Sequence, residues 1–223
     1  MDSLLNLVKT EGSDTTKVKH LNQIADLYDT DANLALSYAN QALQLSVKLD
    51  FKRGIANSHA NIGSIYADRD DYSNGLKFFF TALHLYEILN DKEQINNCYS
   101  NIGVIYNHQG NYSEALKMHF AALKISEEIN NKQYIADAYL HIGIDQDCLG
   151  NYGAALKSYN AALDLQKIID DKQGIAYTYN NIGLIYDIQG EYSEALSNYL
   201  ESLKRMEEIG IRHSRAHVYI NIA

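Results

Sequence analysis

An all-α array of repeated helix pairs is the fold class that the sequence predicts, on three observations. The chain repeats itself every 40 residues, its 223 residues include no proline, and its apolar residues recur at helical spacing. A proline-free chain of this length suits helices and disfavours a loop-rich or all-β protein. Hydrophobic residues make up 46% and charged residues 21%, which is enough apolar content to fold and excludes wholesale disorder.

Three blocks carry the repeat. Asn61-Ile62-Gly63-Ser64-Ile65-Tyr66 recurs as Asn101-Ile102-Gly103-Val104-Ile105-Tyr106 and as Asn181-Ile182-Gly183-Leu184-Ile185-Tyr186. A weaker copy, His141-Ile142-Gly143-Ile144-Asp145-Gln146, lies between the last two. The second block is Tyr72 to Leu76, Tyr112 to Leu116, Tyr152 to Leu156 and Tyr192 to Leu196. The third is Ala82-Leu83, Ala122-Leu123, Ala162-Leu163 and Ser202-Leu203. Fixed spacing between all three defines units at about 17–50, 55–89, 95–129, 135–169 and 175–209.

The elements follow in chain order. The earliest unit shows in Leu21, Ile24-Ala25 and Tyr28, then Ala35-Leu36, Ala39 and Ala42-Leu43. Its turn is two residues shorter than the others, as expected of a terminal repeat with one uncovered face. In a full unit, Tyr99, Ile102, Gly103 and Tyr106 share one helical face. Gly110-Asn111 then supplies a turn, and Asn111 with Glu114 reads as a reciprocal helix cap. The second helix carries Ala115, Leu116, His119, Ala122 and Leu123 on its inner stripe. Polar links (Asn90-Asp91-Lys92, Asn130-Asn131-Lys132, Asp170-Asp171-Lys172) stop one helix and cap the next. Gly103 and Ala115 are small where paired helices approach. The recurring Tyr66, Tyr106, Tyr186, Tyr72, Tyr112, Tyr152 and Tyr192 are expected in the core. Residues 214–223 begin a sixth unit that stops inside its first helix. The whole chain, 1–223, therefore reads as one array cut from something longer.

Catalysis and metal binding find no support. There is no nucleophile elbow and no phosphate-binding glycine loop. Of eight scattered histidines only His213 and His217 stand four apart, without the glutamate of a zinc-protease helix. Cys98 and Cys148 are too far apart for a disulfide and lack zinc-site pairing, so free thiols are expected. No metal or other cofactor is expected. The 19 basic and 28 acidic residues leave a charge of −9, which argues against a nucleic-acid partner. No apolar stretch reaches the roughly 18 residues of a membrane span, so no direct membrane contact is expected.

These blocks resemble the tetratricopeptide repeat, whose pattern is an aromatic, Leu-Gly and Tyr on the first helix, then Ala and an aromatic on the second. Tyr179, Ile182-Gly183, Tyr186, Ala195 and Tyr199 fit it, as do Tyr99, Ile102-Gly103, Tyr106 and Ala115. The 40-residue period and the missing junction proline are similar to the long-repeat variants, such as kinesin light chains and bacterial peptide-sensing regulators. The resemblance implies a right-handed superhelix whose first helices line a concave groove for an extended peptide or protein segment.

If Ile62, Gly63 and Tyr66 face the core, a neighbouring stripe holds Asn57, Asn61, Ser64 and Asp68. The corresponding stripes are Asn97, Asn101, Val104 and His108; Asp137, His141, Ile144 and Cys148; and Tyr177, Asn181, Leu184 and Ile188. The predicted groove is amide-rich first and more apolar later. Asn61, Asn101 and Asn181 are candidate peptide contacts, because an amide both donates and accepts and so reads a backbone. In the long-repeat relatives, asparagines at this place hold extended peptides. The alternative is that the same amides tie neighbouring helices together. Asn57, Asn97, His141, which replaces a rung of this ladder, and Tyr177, whose counterparts are Asn57, Asn97 and Asp137, complete the candidate site.

Asp145 and Gln146 stand where the clear copies have Ile-Tyr. A carboxylate there occupies an aliphatic packing position, and burying it without a partner is costly. The expectation is a locally soft helix, with a functional polar notch beside His141 as the alternative. Taken together, the residues and the resemblance imply a non-catalytic peptide-binding module, the sensory or interaction domain of a bacterial signalling protein. Asp2-Ser3-Leu4-Leu5-Asn6-Leu7, Asp14-Thr15-Thr16-Lys17 and Leu21-Asn22 resemble the start of repeat domains linked to a histidine kinase or a DNA-binding output. A free-standing scaffold or adaptor is the alternative.

Overall fold

The structure, a computed structural model, describes residues 2–10, 12–27, 31–210 and 213–222. Among them there are helices and turns and no strand. Tyr28, expected in the first unit, lies outside the described residues, as do the side chains of His213 and His217. The chain divides into two compact units, Met1–Gln109 and Gly110–Ala223. The first holds α1 (Asp2–Thr10), α2 (Thr15–Leu27), α3 (Ala32–Lys48), α4 (Lys52–Ala67), α5 (Tyr72–Leu89) and α6 (Lys92–His108). The second holds α7 (Tyr112–Glu128), α8 (Lys132–Cys148), α9 (Tyr152–Ile168), α10 (Lys172–Ile188), α11 (Tyr192–Glu208) and α12 (His213–Ile222). In each unit consecutive helices pack on one another, most extensively α4 on α5, α8 on α9 and α10 on α11.

The turns explain the strict period. The first helices α4, α6, α8 and α10 are each followed by a residue at positive φ, at Asp70, Gly110, Gly150 and Gly190, 40 apart. The second helices end the same way at Asp50, Asn90, Asn130, Asp170 and Gly210. Glycine, asparagine and aspartate tolerate this left-handed conformation best, which is why only those three types occur there. The next residue then bonds back to the closing helix, as in Asp71 N–H to Tyr66 O (2.9 Å), Asp91 to Tyr86 O (3.0 Å), Asn131 to Ser126 O (3.1 Å) and Asp171 to Gln166 O (2.9 Å). That same residue starts the following helix. Asp71, Asp91, Asn131 and Asp171 each accept a backbone N–H of the new first turn through their side chains. Each corner residue thus serves two helices.

Asn111 departs from expectation. Its side chain makes no cap hydrogen bond to α7; only its carbonyl does, accepting from Glu114 N (3.0 Å) and Ala115 N (3.0 Å). Asn151 and Glu191, at the same repeat position, are alike in this. The side-chain caps fall mainly on the first helices of the pairs.

The core lies between the helices of each pair. Ile62, Ile102, Ile142 and Ile182 are buried, as are Ala82, Ala122, Ala162 and Ser202 forty residues apart on the second helices. Phe79, Tyr159 and Tyr199 are also buried and lie over the glycines of the facing helix. A Cβ at Gly143 would meet the Tyr159 ring, and one at Gly183 would lie 2.7 Å from Tyr199. The glycines are therefore there for close approach. Gly143→Ala is expected to cost about 1–3 kcal/mol by overpacking. Gly153→Ala, with nothing within 4 Å of its would-be Cβ near the start of α9, is expected to stabilise by about 0.4–1 kcal/mol. Thermal melts of the two single variants should move in opposite directions.

The tyrosines divide differently from the prediction. Tyr66, Tyr106 and Tyr186 are only half-buried, because the preceding Ile65, Ile105 and Ile185 take the inner position. Tyr66 instead stacks on Phe78 (centroids 5.5 Å apart, 9° between planes). Tyr72, Tyr112 and Tyr152 are half-buried as well, and Tyr192 is 69% exposed. Among the described residues, the tyrosines with fully buried rings are Tyr86, Tyr159 and Tyr199.

Candidate functional site

In the first unit, α2, α4 and α6 bring the predicted stripe to a cleft of about 340 Å³. Asn57 and Asn61 on α4 line it with Asn22 on α2, Tyr86 on α5 and Gln94 on α6. Asn57, Asn61 and Gln94 lie beside the buried stripes of their amphipathic helices, whereas Asn22 and Tyr86 are themselves buried. Asn57 accepts a hydrogen bond from the Tyr86 hydroxyl (2.8 Å). Asn61 donates through Nδ2 to the Asn22 carbonyl (3.1 Å) and, at 3.4 Å, to Asn22 Oδ1. So Asn61 does tie neighbouring helices, and it does so at the wall of a cleft. Asn22 Oδ1 also accepts from the buried Ser58 hydroxyl (3.1 Å), while Asn22 Nδ2 is buried with no hydrogen-bond partner.

Charge at the rim is mixed. Lys19 and Arg53 face Asp26 and Asp91 across the cleft, and Arg53 pairs with Asp91 (3.0 Å). A second, smaller pocket holds Asn61, Ser64 and Asp68, and a third joins Asp68 to Asn101, Val104 and His108. Asn57, Asn61, Ser64 and Asp68 of the predicted stripe, with Asn101, Val104 and His108, line these three pockets, and Asn97 lines none of the three. Asn97 is half-buried, and Asn101 is exposed, with Nδ2 donating to the Asn97 carbonyl one turn back (2.9 Å). Cys98 beside them is buried, and burial with the Glu87 charge pushes its thiol up to about 12. It is a packing residue, not a nucleophile.

In the second unit, His141, Tyr177 and Asn181 are all half-buried. Tyr177 packs against the cluster of Ala176, Ala195 and Tyr199, with Gln173 donating to its hydroxyl at 3.5 Å. Asp137 accepts from Gln133 Nε2 (3.1 Å), which also reaches Asp171 (3.4 Å). Burial, with Asp171's charge added, raises Asp137 above the ordinary carboxylate range. Cys148 is exposed at the end of α8, and neither cysteine is in a disulfide.

Asp145 corrects the expectation of an unpartnered carboxylate. It is fully buried, and its Oδ2 lies 2.5 Å from Nδ1 of His119, itself 1% exposed. The His119 and His141 rings stack at 4.9 Å, 16° apart. Helix α8 runs unbroken through these residues. The sequence reading placed His119 on the inner stripe but missed its pairing. The available signal was that His119 replaces the aromatic of Phe79, Tyr159 and Tyr199 opposite the very position where Asp145 replaces isoleucine.

Burial first, then the neighbouring His119, pushes the basicity of His141 down to about 4, against the opposing pull of Asp145. A folded-state value below that of the free side chain means that the unfolded chain binds more protons. Stability contributed by neutral His141 is therefore present above about pH 6.5 and is lost as pH falls toward 4. Urea midpoints measured from pH 7 to 4.5 should fall more steeply for the wild type than for His141→Asn.

Helix pairs repeated at fixed spacing, with small residues at each crossing, define an α-helical repeat protein. A family model for the tetratricopeptide repeat matches residues 94–168 and 149–208, and the chain belongs to that family. No curated protein matches its sequence. Solved structures with the same fold include BtubC from P. vanneervenii, 18% identical, with TM-score 0.73 over 87% of this chain and 82% of that one. The apo form of RapI is 17% identical, with TM-score 0.75 over 86% of this chain and 53% of its own. A Rap protein complexed with competence and sporulation factor is 20% identical, with TM-score 0.73 over 97% and 65%. The chain thus spans about half of RapI and just under two thirds of the complexed Rap protein. These likenesses establish the all-α fold of the tetratricopeptide solenoids.

Proposed function

We propose that the chain is a non-catalytic module that binds an extended peptide or protein segment through polar residues of its first helices. The observation that carries this reading is the cleft of the first unit, which the amides of Asn22, Asn57, Asn61 and Gln94 line together. Amides at such spacing suit the alternating carbonyl and N–H groups of an extended backbone and demand no particular side chain. Each unit carries its own set: Asn57, Asn61, Asn97 and Asn101 in the first, and His141, Tyr177 and Asn181 in the second. The fold it shares with a Rap protein that was crystallised with competence and sporulation factor supports a protein or peptide as partner. The finer reading is a sensory or interaction domain of a bacterial signalling protein, drawn from the opening segment of the chain.

A randomised decapeptide array tests binding directly. The Asn61→Ala, Asn101→Ala, Asn181→Ala triple variant should lose most affinity for the captured peptides, at ~1 kcal/mol net per contact, and keep its helicity. Unchanged binding with intact helicity would sink the amide reading. Loss of stability instead would assign these amides to tying helices. For the signalling role, a reading frame that continues into a membrane span and kinase core supports it, and one without any output domain or operon partner of that kind removes it.

A further inference from the structure

Three departures from the repeat touch one another in the second unit. His119 stands where Phe79, Tyr159 and Tyr199 stand, Asp145 where Ile65, Ile105 and Ile185 stand, and His141 where Asn61, Asn101 and Asn181 stand. Independent drift would scatter such changes; here they form one contact. A buried polar pair is a weak source of stability compared with well-packed apolar groups of similar size. The neighbouring pairs of this fold show that an aromatic ring over isoleucine suffices, as with Tyr159 and Ile185 in one cluster. The polar version therefore needs a reason other than packing.

We propose that His119 and Asp145 are positioning residues that seat His141 as a peptide-reading rung, a role that rests on the groove reading above. Asp145 accepts from Nδ1–H of His119, which fixes that ring's plane and its tautomer. His119 Nε2 is buried with no partner, so a bare lone pair there is cheaper than a stranded N–H. The locked ring is a flat seat on which His141 lies nearly parallel. Its orientation is then set before any peptide arrives, which lowers the ordering cost of binding. A neutral imidazole offers one donor and one acceptor, as the asparagine amides do. His141 stays neutral near pH 7, held down by burial, so it reads a backbone amide group without preferring acidic side chains. The occupant is a backbone segment of an extended peptide.

The test uses the full chain and the strongest peptide captured by the wild type from the decapeptide array. His141→Asn should bind within about twofold of wild type, and His141→Ala about fivefold more weakly. The His119→Phe, Asp145→Ile pair should also lose about fivefold while remaining folded, and adding His141→Ala to it should cost nothing further. Asp145→Asn keeps an acceptor for the ring and should bind like wild type. Wild-type binding by the His119→Phe, Asp145→Ile pair, or a further fivefold loss on adding His141→Ala, overturns the proposal. A nitrogen-15 imidazole spectrum of the peptide-free chain is an independent check. One His119 tautomer protonated at Nδ1 is expected, and a proton on Nε2 or a mixture refutes the seat even if the paired variant fails to fold. An array that captures nothing ends the rung role together with the groove reading, whereas captured peptides that respond to the asparagine variants but not to His141→Ala end this proposal alone.

Discussion

Replacing His119 alone by phenylalanine should destabilise the protein by about 3–5 kcal/mol, whereas changing His119 to phenylalanine and Asp145 to isoleucine together should be neutral or stabilising. The single change removes the His119 contact of a carboxylate that has no solvent exposure. Asp145→Ile alone strands a neutral N–H, so its cost is smaller, about 1–3 kcal/mol. The double change recreates the contact that Tyr159 and Ile185 already make, with an aromatic over an aliphatic residue. Chemical denaturation of the four proteins closes the cycle. Additive single effects would show that the two side chains do not interact in solution.

A second large effect is expected when 40 residues are removed in two different frames. Deleting 152–191 removes α9 and α10 and brings Tyr199 to Gly143, a meeting like that of Tyr199 with Gly183. The His119–Asp145 pair survives, and a shorter folded chain is expected, since repeat stabilities and interface terms add. Deleting 132–171 removes α8 and α9 and places His119 opposite Ile185. The same number of residues is lost, yet the ring now has no acceptor. This frame should be less stable than the other by about 1–3 kcal/mol, and His119→Phe should restore most of the difference. Equal stability of the two deletions, or no rescue by phenylalanine, would contradict this account.

The fold was legible because its signals are local and repeated. Glycines 40 apart, turn residues able to take positive φ and a helical apolar period all point the same way, and α4 to α11 follow them. Side-chain partnerships across helices were less legible. Asn61 reaches Asn22 from 39 residues away, a pairing fixed by how α2 lies against α4 rather than by spacing along either. Asp145 and His119 are separated by 26 residues, and each alone reads as a flaw in its own helix. Their meaning appears only when both are placed on one contact. Tyr192 failed for a related reason: a repeated ring position is inner only where a neighbour covers it, and at α11 it stays exposed.

The shared corner residues have a consequence for how such a chain can change its length. Asp71, Asp91, Asn131 and Asp171 each close one helix and open the next, with no spacer between the two jobs. An insertion of one or two residues at such a corner would separate the stop from the start and leave both helix ends unsatisfied. Most proteins absorb small insertions in surface loops, but these corners have no slack to absorb them. Growth and shrinkage are therefore quantised: the molecule gains or loses a whole period of 40, or it loses a corner.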